Sequence, residues 1–245
     1  MRRFKHFIRS VLTIFLFGFF GIATLFFRYI IMSFNKNEMK NYETLQKSFA
    51  FFIQLLETLK ILNINANNLE KIRNIKNSII VSTHPSFIDI VILISIIPYS
   101  TCFVAERLAK NPILQGMVKL LFILEGQPLE NWLNEAEKMM DKGLNLIIFP
   151  MGIRHRQNET PKIRRGTAML AQKTGKNIVL LDLKTSFDFL FIHQPFYEVG
   201  SETVLYSLNY LGEINTKEFI EKYPDEVTFK TQMTKEISKI LYKKN

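Results

Sequence analysis

"SIIVSTHPSFIDIVILISIIP", residues 78–98, decides the fold. Its first five residues are a short apolar run, as in a strand buried on both faces of a sheet. "IDIVILISII" at 88–97 is long enough for a buried helix, and Pro98 closes it. Between them lies the polar turn "THPSFID", in which Pro85 suits a helix start. Strand, polar loop and helix in one stretch make a βα unit, and the question becomes whether the pattern repeats.

It does. "TCFVA" (101–105) reads as a strand, "NPILQGMVKLL" (111–121) as a helix with proline at its start, and "FIL" (122–124) as a short strand. The clearest helix pattern is "PLENWLNEAEKMMDKG" (128–143): Pro128 leads, Glu130 sits in the first turn, Leu133, Ala136 and Met140 share a face, and Gly143 stops it. Then follow strand 144–150, a charged loop, helix 165–175, strand 177–183, strands near 187–191 and 203–212, and a basic amphipathic helix 226–243. The alternation predicts an α/β fold: a mainly parallel central sheet flanked by helices.

The N-terminal part differs. "MRRFKHFIRS" is basic, and "VLTIFLFGFFGIATLFF" at 11–27 carries no charge. Such a run just reaches the ~30 Å of a bilayer core if its flanks join in, and basic residues on both sides give no orientation. A helix dipping into one leaflet fits that symmetry better than a span. "LQKSFAFFIQLLETLKILNI" (45–64) reads as a second helix, either interfacial or packed on the core. The polar stretch 65–77 marks the border between a membrane-associated helical pair (1–66) and an α/β domain (67–245).

Composition narrows the partners. A formal charge of +10 favours anions without choosing among them. The 22 phenylalanines lie largely in apolar runs rather than interleaved with Lys and Arg, which argues for a lipid surface and against nucleic acid. Cys102 is the only cysteine, so no intramolecular disulfide forms and a reducing compartment is implied. Within "STCFVA" it reads as a small core residue.

In parallel sheets, ligands collect beyond the carboxyl ends of strands. Two loops there have complementary chemistry. The first, "THPSFID", holds His84 and Asp89; the second, "PMGIRHRQNETPKIRRG" (150–166), holds Arg154, His155, Arg156, Lys162, Arg164 and Arg165 against the single acid Glu159. On one continuous helix, five residues would turn His84 about 140° away from Asp89. If Pro85 opens the helix, His84 stands outside it and its ring can fold back to the carboxylate. Asp89 then holds one ring nitrogen protonated and leaves the other to take a proton from an alcohol. No GxSxG elbow is present, and His6, His155 and His193 show no metal-ligand spacing, so neither a covalent nucleophile, a metal nor a cofactor is called for.

"THPSFID" resembles the His-x4-Asp motif of the glycerolipid acyltransferase superfamily, whose best known members are the 1-acylglycerol-3-phosphate acyltransferases. "LNLIIFPMGIRHR" is similar to that family's strand followed by Phe-Pro-Glu-Gly-Thr-Arg, "RRGTAMLAQKTG" to its basic-x-Gly helix, and "AERLAKNPILQGMVKLLFIL" to the intervening block. The resemblance covers roughly 78–185, and the N-terminal helix pair has a counterpart in bacterial members. It implies transfer of a fatty acyl group from acyl-CoA or acyl-carrier protein to a hydroxyl of a lipid acceptor, at the cytoplasmic face of the inner or plasma membrane. His84 would be the general base and Asp89 its orienting partner. Gly152 and Arg154 would shape the acceptor pocket, with Arg154 on a phosphate and Arg164 and the amides opening the helix at Gly166 adding to that anion site.

The departures from the pattern cluster where acceptors are chosen. Met151 replaces a Glu, Ile153 a Thr, and "ILEGQ" puts Glu125 or Gly126 where the family has a cation that helps hold the acceptor phosphate. The proline that often marks the strand after the basic helix is missing from "NIVLLDL". Two readings follow: an active enzyme with an altered acceptor, with Arg156 and Arg165 compensating, or an inactive lipid-binding or scaffold protein. The intact proton-handling pair favours the first.

Overall fold

Two helices open the chain, α1 (Arg2–Phe26) and α2 (Glu38–Thr58), in a computed structural model that describes residues 2–26, 37–112, 114–152, 162–191, 194 and 200–242, with α1 side chains described over 7–23. After them come β1 (Leu62–Asn67), α3 (Leu69–Arg73), β2 (Ile79–Ser82), α4 (Asp89–Ile96), β3 (Ser100–Val104), α5 (Glu106–Lys110), α6 (Gln115–Leu121) and β4 (Ile123–Leu124). The second half holds α7 (Leu129–Asp141), β5 (Asn145–Ile148), α8 (Gly166–Thr174), β6 (Ile178–Thr185), β7 (Val204–Ile214), α9 (Thr216–Lys222) and α10 (Glu226–Leu241). Among the described residues, seven strands form one sheet in the order β1-β7-β6-β2-β5-β3-β4. Every neighbouring pair is parallel except β6–β7. The fold is thus α/β with a mainly parallel sheet.

Because side chains alternate along a strand, the central strands feed two apolar layers. Ile80, Ile147, Val179 and Leu181 enter the layer with α2 and α4; Ile79, Val81, Leu146, Ile148, Ile178 and Leu180 enter the layer with α7, α8 and α10. Both faces are covered, which is why these strands read as unbroken apolar runs.

The structure corrects several local expectations. Residues 45–64 are not one helix: α2 ends at Thr58, and Lys60 with φ 55° turns the chain into β1. The supposed border 65–77 contains the end of β1 and α3, and β1 pairs in parallel with β7 from Leu62↔Val204 to Asn67↔Asn209. The helix expected over 111–121 begins at Gln115. No strand forms over 187–191; this stretch covers the loop after β2, and its Leu190 carbonyl accepts from the Phe87 N–H (3.1 Å).

α2 is a packed helix. Its Tyr42, Leu45, Phe49, Phe52 and Leu56 are buried at helical spacing, against α4 and the sheet. α1 lies over α2, with Phe17 edge-on to Phe52 and Phe20 stacked on it at 4.1 Å. The opposite face of α1 is bare: Phe7, Val11, Ile14, Phe15, Phe19 and Ile22 are exposed. Among the described residues, no helix is long and apolar enough to cross a membrane.

Candidate active site

The loop after β2 is pinned before it reaches His84. Thr83 Oγ1 donates to the Leu183 carbonyl (2.8 Å) and accepts from the Leu183 N–H (2.7 Å), tying the loop to β6. Asp89 is the first residue of α4 and is fully buried. Its Oδ2 accepts from the Ser86 backbone N–H (2.6 Å) and lies 2.8 Å from His84 Nδ1. The carboxylate therefore ties the loop to the first turn of α4, where the helix dipole favours negative charge. His84 stands outside the helix, and Pro85 between them creates the fold-back. Its ring stacks on Phe149 at 4.0 Å and 13° between planes, which fixes the second rotation of the imidazole. With Nδ1 facing a carboxylate, Nε2 is the nitrogen left basic.

Around this pair the sheet supplies further buried polar groups. Tyr206 on β7 is almost completely buried, and burial, followed by the Asp89 charge, pushes its phenol well above the usual tyrosine range, so it stays protonated. Burial likewise pushes the Cys102 thiol far up, with the Glu125 charge adding to it. Cys102 is thus a neutral, apolar-behaving side chain and a poor nucleophile.

His84 opens onto a cavity of about 610 Å³ beyond the carboxyl ends of β2, β3 and β5. Gly152, Arg164 and Gly166 line it as well. Gly152 has φ +72°, and a Cβ there would come within 2.8 Å of the Arg164 guanidinium carbon, so this glycine is what lets Arg164 lie against the turn after β5. The Arg164 N–H closes the loop by donating to the Pro150 carbonyl (2.9 Å). Arg165 is exposed at the N-cap of α8 and does not line the cavity. Arg154 and Arg156 lie outside the described residues, as do Ile153, His155 and His193. Met151 is buried.

Several lining residues were not singled out by the sequence. Phe149 was read as strand, although its place just past an apolar run was visible. Arg107 on α5 and Thr167 on α8 line the cavity too, as does Trp132 on α7, which stacks on Phe103 at 4.3 Å. Glu125, noted in the sequence as a missing cation, stands exposed at its rim.

A second cavity, about 450 Å³, adjoins the first along Phe87, Ile90, Cys102, Val104 and Leu108. Its other walls come from α1, α2 and α6, including Gly18, Phe49, Phe52 and Met117, and they are almost wholly apolar.

The Acyltransferase family model matches residues 63–181, the stretch from β1 through β6 that holds His84, Asp89 and the turn at Gly152. The crystal structure of the 1-acyl-sn-glycerophosphate acyltransferase PlsC from Thermotoga maritima superposes with a TM-score of 0.75, covering 99% of this chain and 97% of that one at 16% identity, a likeness of fold. No curated protein matches the sequence. Residues 63–181, just under half of the chain, thus match the Acyltransferase family, and the chain as a whole shares the fold of that structure.

Proposed function

We propose that the protein moves a fatty acyl group from a thioester donor, acyl-CoA or acyl-carrier protein, to a hydroxyl of a lysophospholipid-like acceptor, 1-acylglycerol-3-phosphate or a related lipid. The observation that carries this reading is the buried Asp89 carboxylate 2.8 Å from His84 Nδ1 at the wall of a cavity. The acceptor O–H donates to His84 Nε2. As the acceptor oxygen attacks the thioester carbonyl, the proton passes to Nε2, and Asp89 stabilises the imidazolium. The tetrahedral intermediate then collapses, the C–S bond breaks, and the leaving sulfur takes the proton back from Nε2. An ester and a free thiol result, with the base restored and no covalent enzyme intermediate.

The two cavities divide the substrate. The donor's carbonyl must reach His84, and the adjoining apolar cavity suits its hydrocarbon chain. The acceptor's charged head suits the first cavity, where Arg164 and the first turn of α8 offer donors; Arg154 and Arg156 are proposed to join them. The exposed apolar face of α1 suits insertion into one leaflet, so that lipid substrates enter from the bilayer side. The single free thiol, Cys102, fits a reducing compartment and hence the cytoplasmic face of the inner or plasma membrane.

The test is transfer from a radiolabelled acyl donor to a panel of lysolipids in vesicles. His84→Ala is expected to lower kcat by about 10²–10⁴-fold, the usual share of a general base. Undiminished turnover in His84→Ala removes the mechanism. No turnover with any acceptor, with lipid binding retained, supports a scaffold instead.

A further inference from the structure

We infer that the acceptor is a zwitterionic lysophospholipid, with its phosphate at the N-terminus of α8 and its ammonium group at Glu125. This deepens the acyl-transfer reading above and rests on it. Both poles of the site line the cavity that holds His84.

The anionic pole is built by α8, a nine-residue helix whose first turn has no side-chain cap. Its opening N–H groups therefore lack the usual side-chain acceptor, and Gly166 brings the backbone to the cavity wall without a side chain in the way. Beside it, Thr167 is buried (2% exposed) and lines the cavity, and among the described residues its hydroxyl has no partner. A buried hydroxyl without a partner costs free energy unless a ligand supplies one. The Arg164 guanidinium adds the positive charge, and no ion pair holds it among the described residues.

The cationic-group pole is Glu125. Its backbone is fixed, because its N–H donates to the Val104 carbonyl (2.8 Å) and extends the β3–β4 pairing. Its carboxylate has no ion pair or hydrogen bond among the described residues, although it shares the cavity with Arg107 and Arg164. An anion in a phosphate pocket lowers affinity for a phosphate monoester, which brings only negative charge. For a phosphodiester with a tethered ammonium the same carboxylate is complementary. Specificity then comes from attraction for one head group and repulsion of the other.

The experiment uses the full chain in neutral vesicles, with a saturating acyl donor and three acceptors of equal acyl chain: a lysophospholipid with a free ethanolamine amine, the same lipid with the amine acetylated, and 1-acylglycerol-3-phosphate. The free amine is expected to give a kcat/KM about tenfold above the acetylated form, the size of one charged hydrogen bond. Glu125→Gln should erase most of that ratio, and Glu125→Arg should turn the preference toward 1-acylglycerol-3-phosphate. Thr167→Val should lower all three acceptors in parallel, since it touches the phosphate they share. Equal use of free and acetylated amines, or a ratio unmoved by Glu125→Gln, overturns the inference while leaving acyl transfer standing. Absence of transfer to every acceptor overturns the acyl-transfer reading and this inference with it.

Discussion

The two cavities sit side by side and are built on different principles. The one at His84 lies beyond the strand ends, and its lining carries His84, Arg107, Glu125 and Arg164. The other lies between α1, α2, α4 and α6, and among the described residues its polar side chains are only Thr13, Cys102 and Asn111. Strand ends release backbone donors and loop side chains, so charge can be placed there without being buried in the core. Helix faces that cover a sheet are selected for apolar contact, so a gap among them is a slot for hydrocarbon. The shared wall at Phe87, Ile90 and Cys102 is where a molecule with a charged head and an apolar tail would change from one environment to the other.

If that division is right, changing the helical cavity should alter chain preference and leave head-group preference alone. Gly18 lines it from α1, and a Cβ built there meets nothing within 4 Å. Gly18→Phe would fill space rather than collide. A ring that displaces about three methylenes costs a long acyl chain about 2 kcal/mol at ~0.8 kcal/mol per CH₂, or about thirtyfold. Assays with donors of graded length should show this loss for long chains and little for short ones. Stability should not fall, because a helix interior gains up to about 1 kcal/mol when glycine is replaced. An equal loss at all lengths would mean that the tail lies elsewhere.

The polar cavity was far more legible in the sequence than the apolar one. His84 and Asp89 are close in the chain, and one proline explains how they meet. The strands beside them are buried on both faces, so the apolar runs at 79–81, 146–148 and 178–181 announce themselves. β1 was missed because "LNINAN" follows an apolar helix with no Pro or Gly between them, and its partner β7 lies some 140 residues away, as in Leu62↔Val204. Its period-two pattern, buried at Leu62 and exposed at Asn63, was nevertheless a strand signal. The second cavity has no local signal at all. Residues as distant as Gly18, Phe49, Val91 and Met117 form it, and the only hint was the excess of phenylalanine.

A smaller effect is expected at the turn after β5, where the head-group side can be disturbed by one methyl group. Gly152→Ala places a Cβ at φ +72° within 2.8 Å of the Arg164 guanidinium, so the arginine must move. The backbone conformation itself costs about 1–2 kcal/mol. Displacing Arg164 should raise the acceptor KM about tenfold, one charged contact, with kcat and chain-length preference close to wild type. A fall in kcat at unchanged KM would place Arg164 with the reacting atoms instead of the head group.

The smallest effect concerns how α1 is held as the wall of the apolar cavity. Arg9 is the side chain that anchors it: its guanidinium donates to the carbonyls of Lys60 (2.9 Å), Ile61 (3.3 Å) and Glu202 (2.8 Å). These acceptors lie at the turn between α2 and β1 and just before β7, so one cation ties α1 to the sheet edge. Burial lowers its pKa from the usual arginine value, but an arginine remains charged throughout the working range. Two of the three bonds are exposed to water, which discounts them, and Arg9→Ala is expected to cost about 1 kcal/mol. For a chain of this size that is a Tm lower by about 2–4 °C in a thermal melt. The loosened α1 should blunt discrimination between donor chain lengths while leaving the ratio between acceptor head groups unchanged. Should head-group preference shift as well, α1 would belong to both cavities, and the division between them would no longer hold.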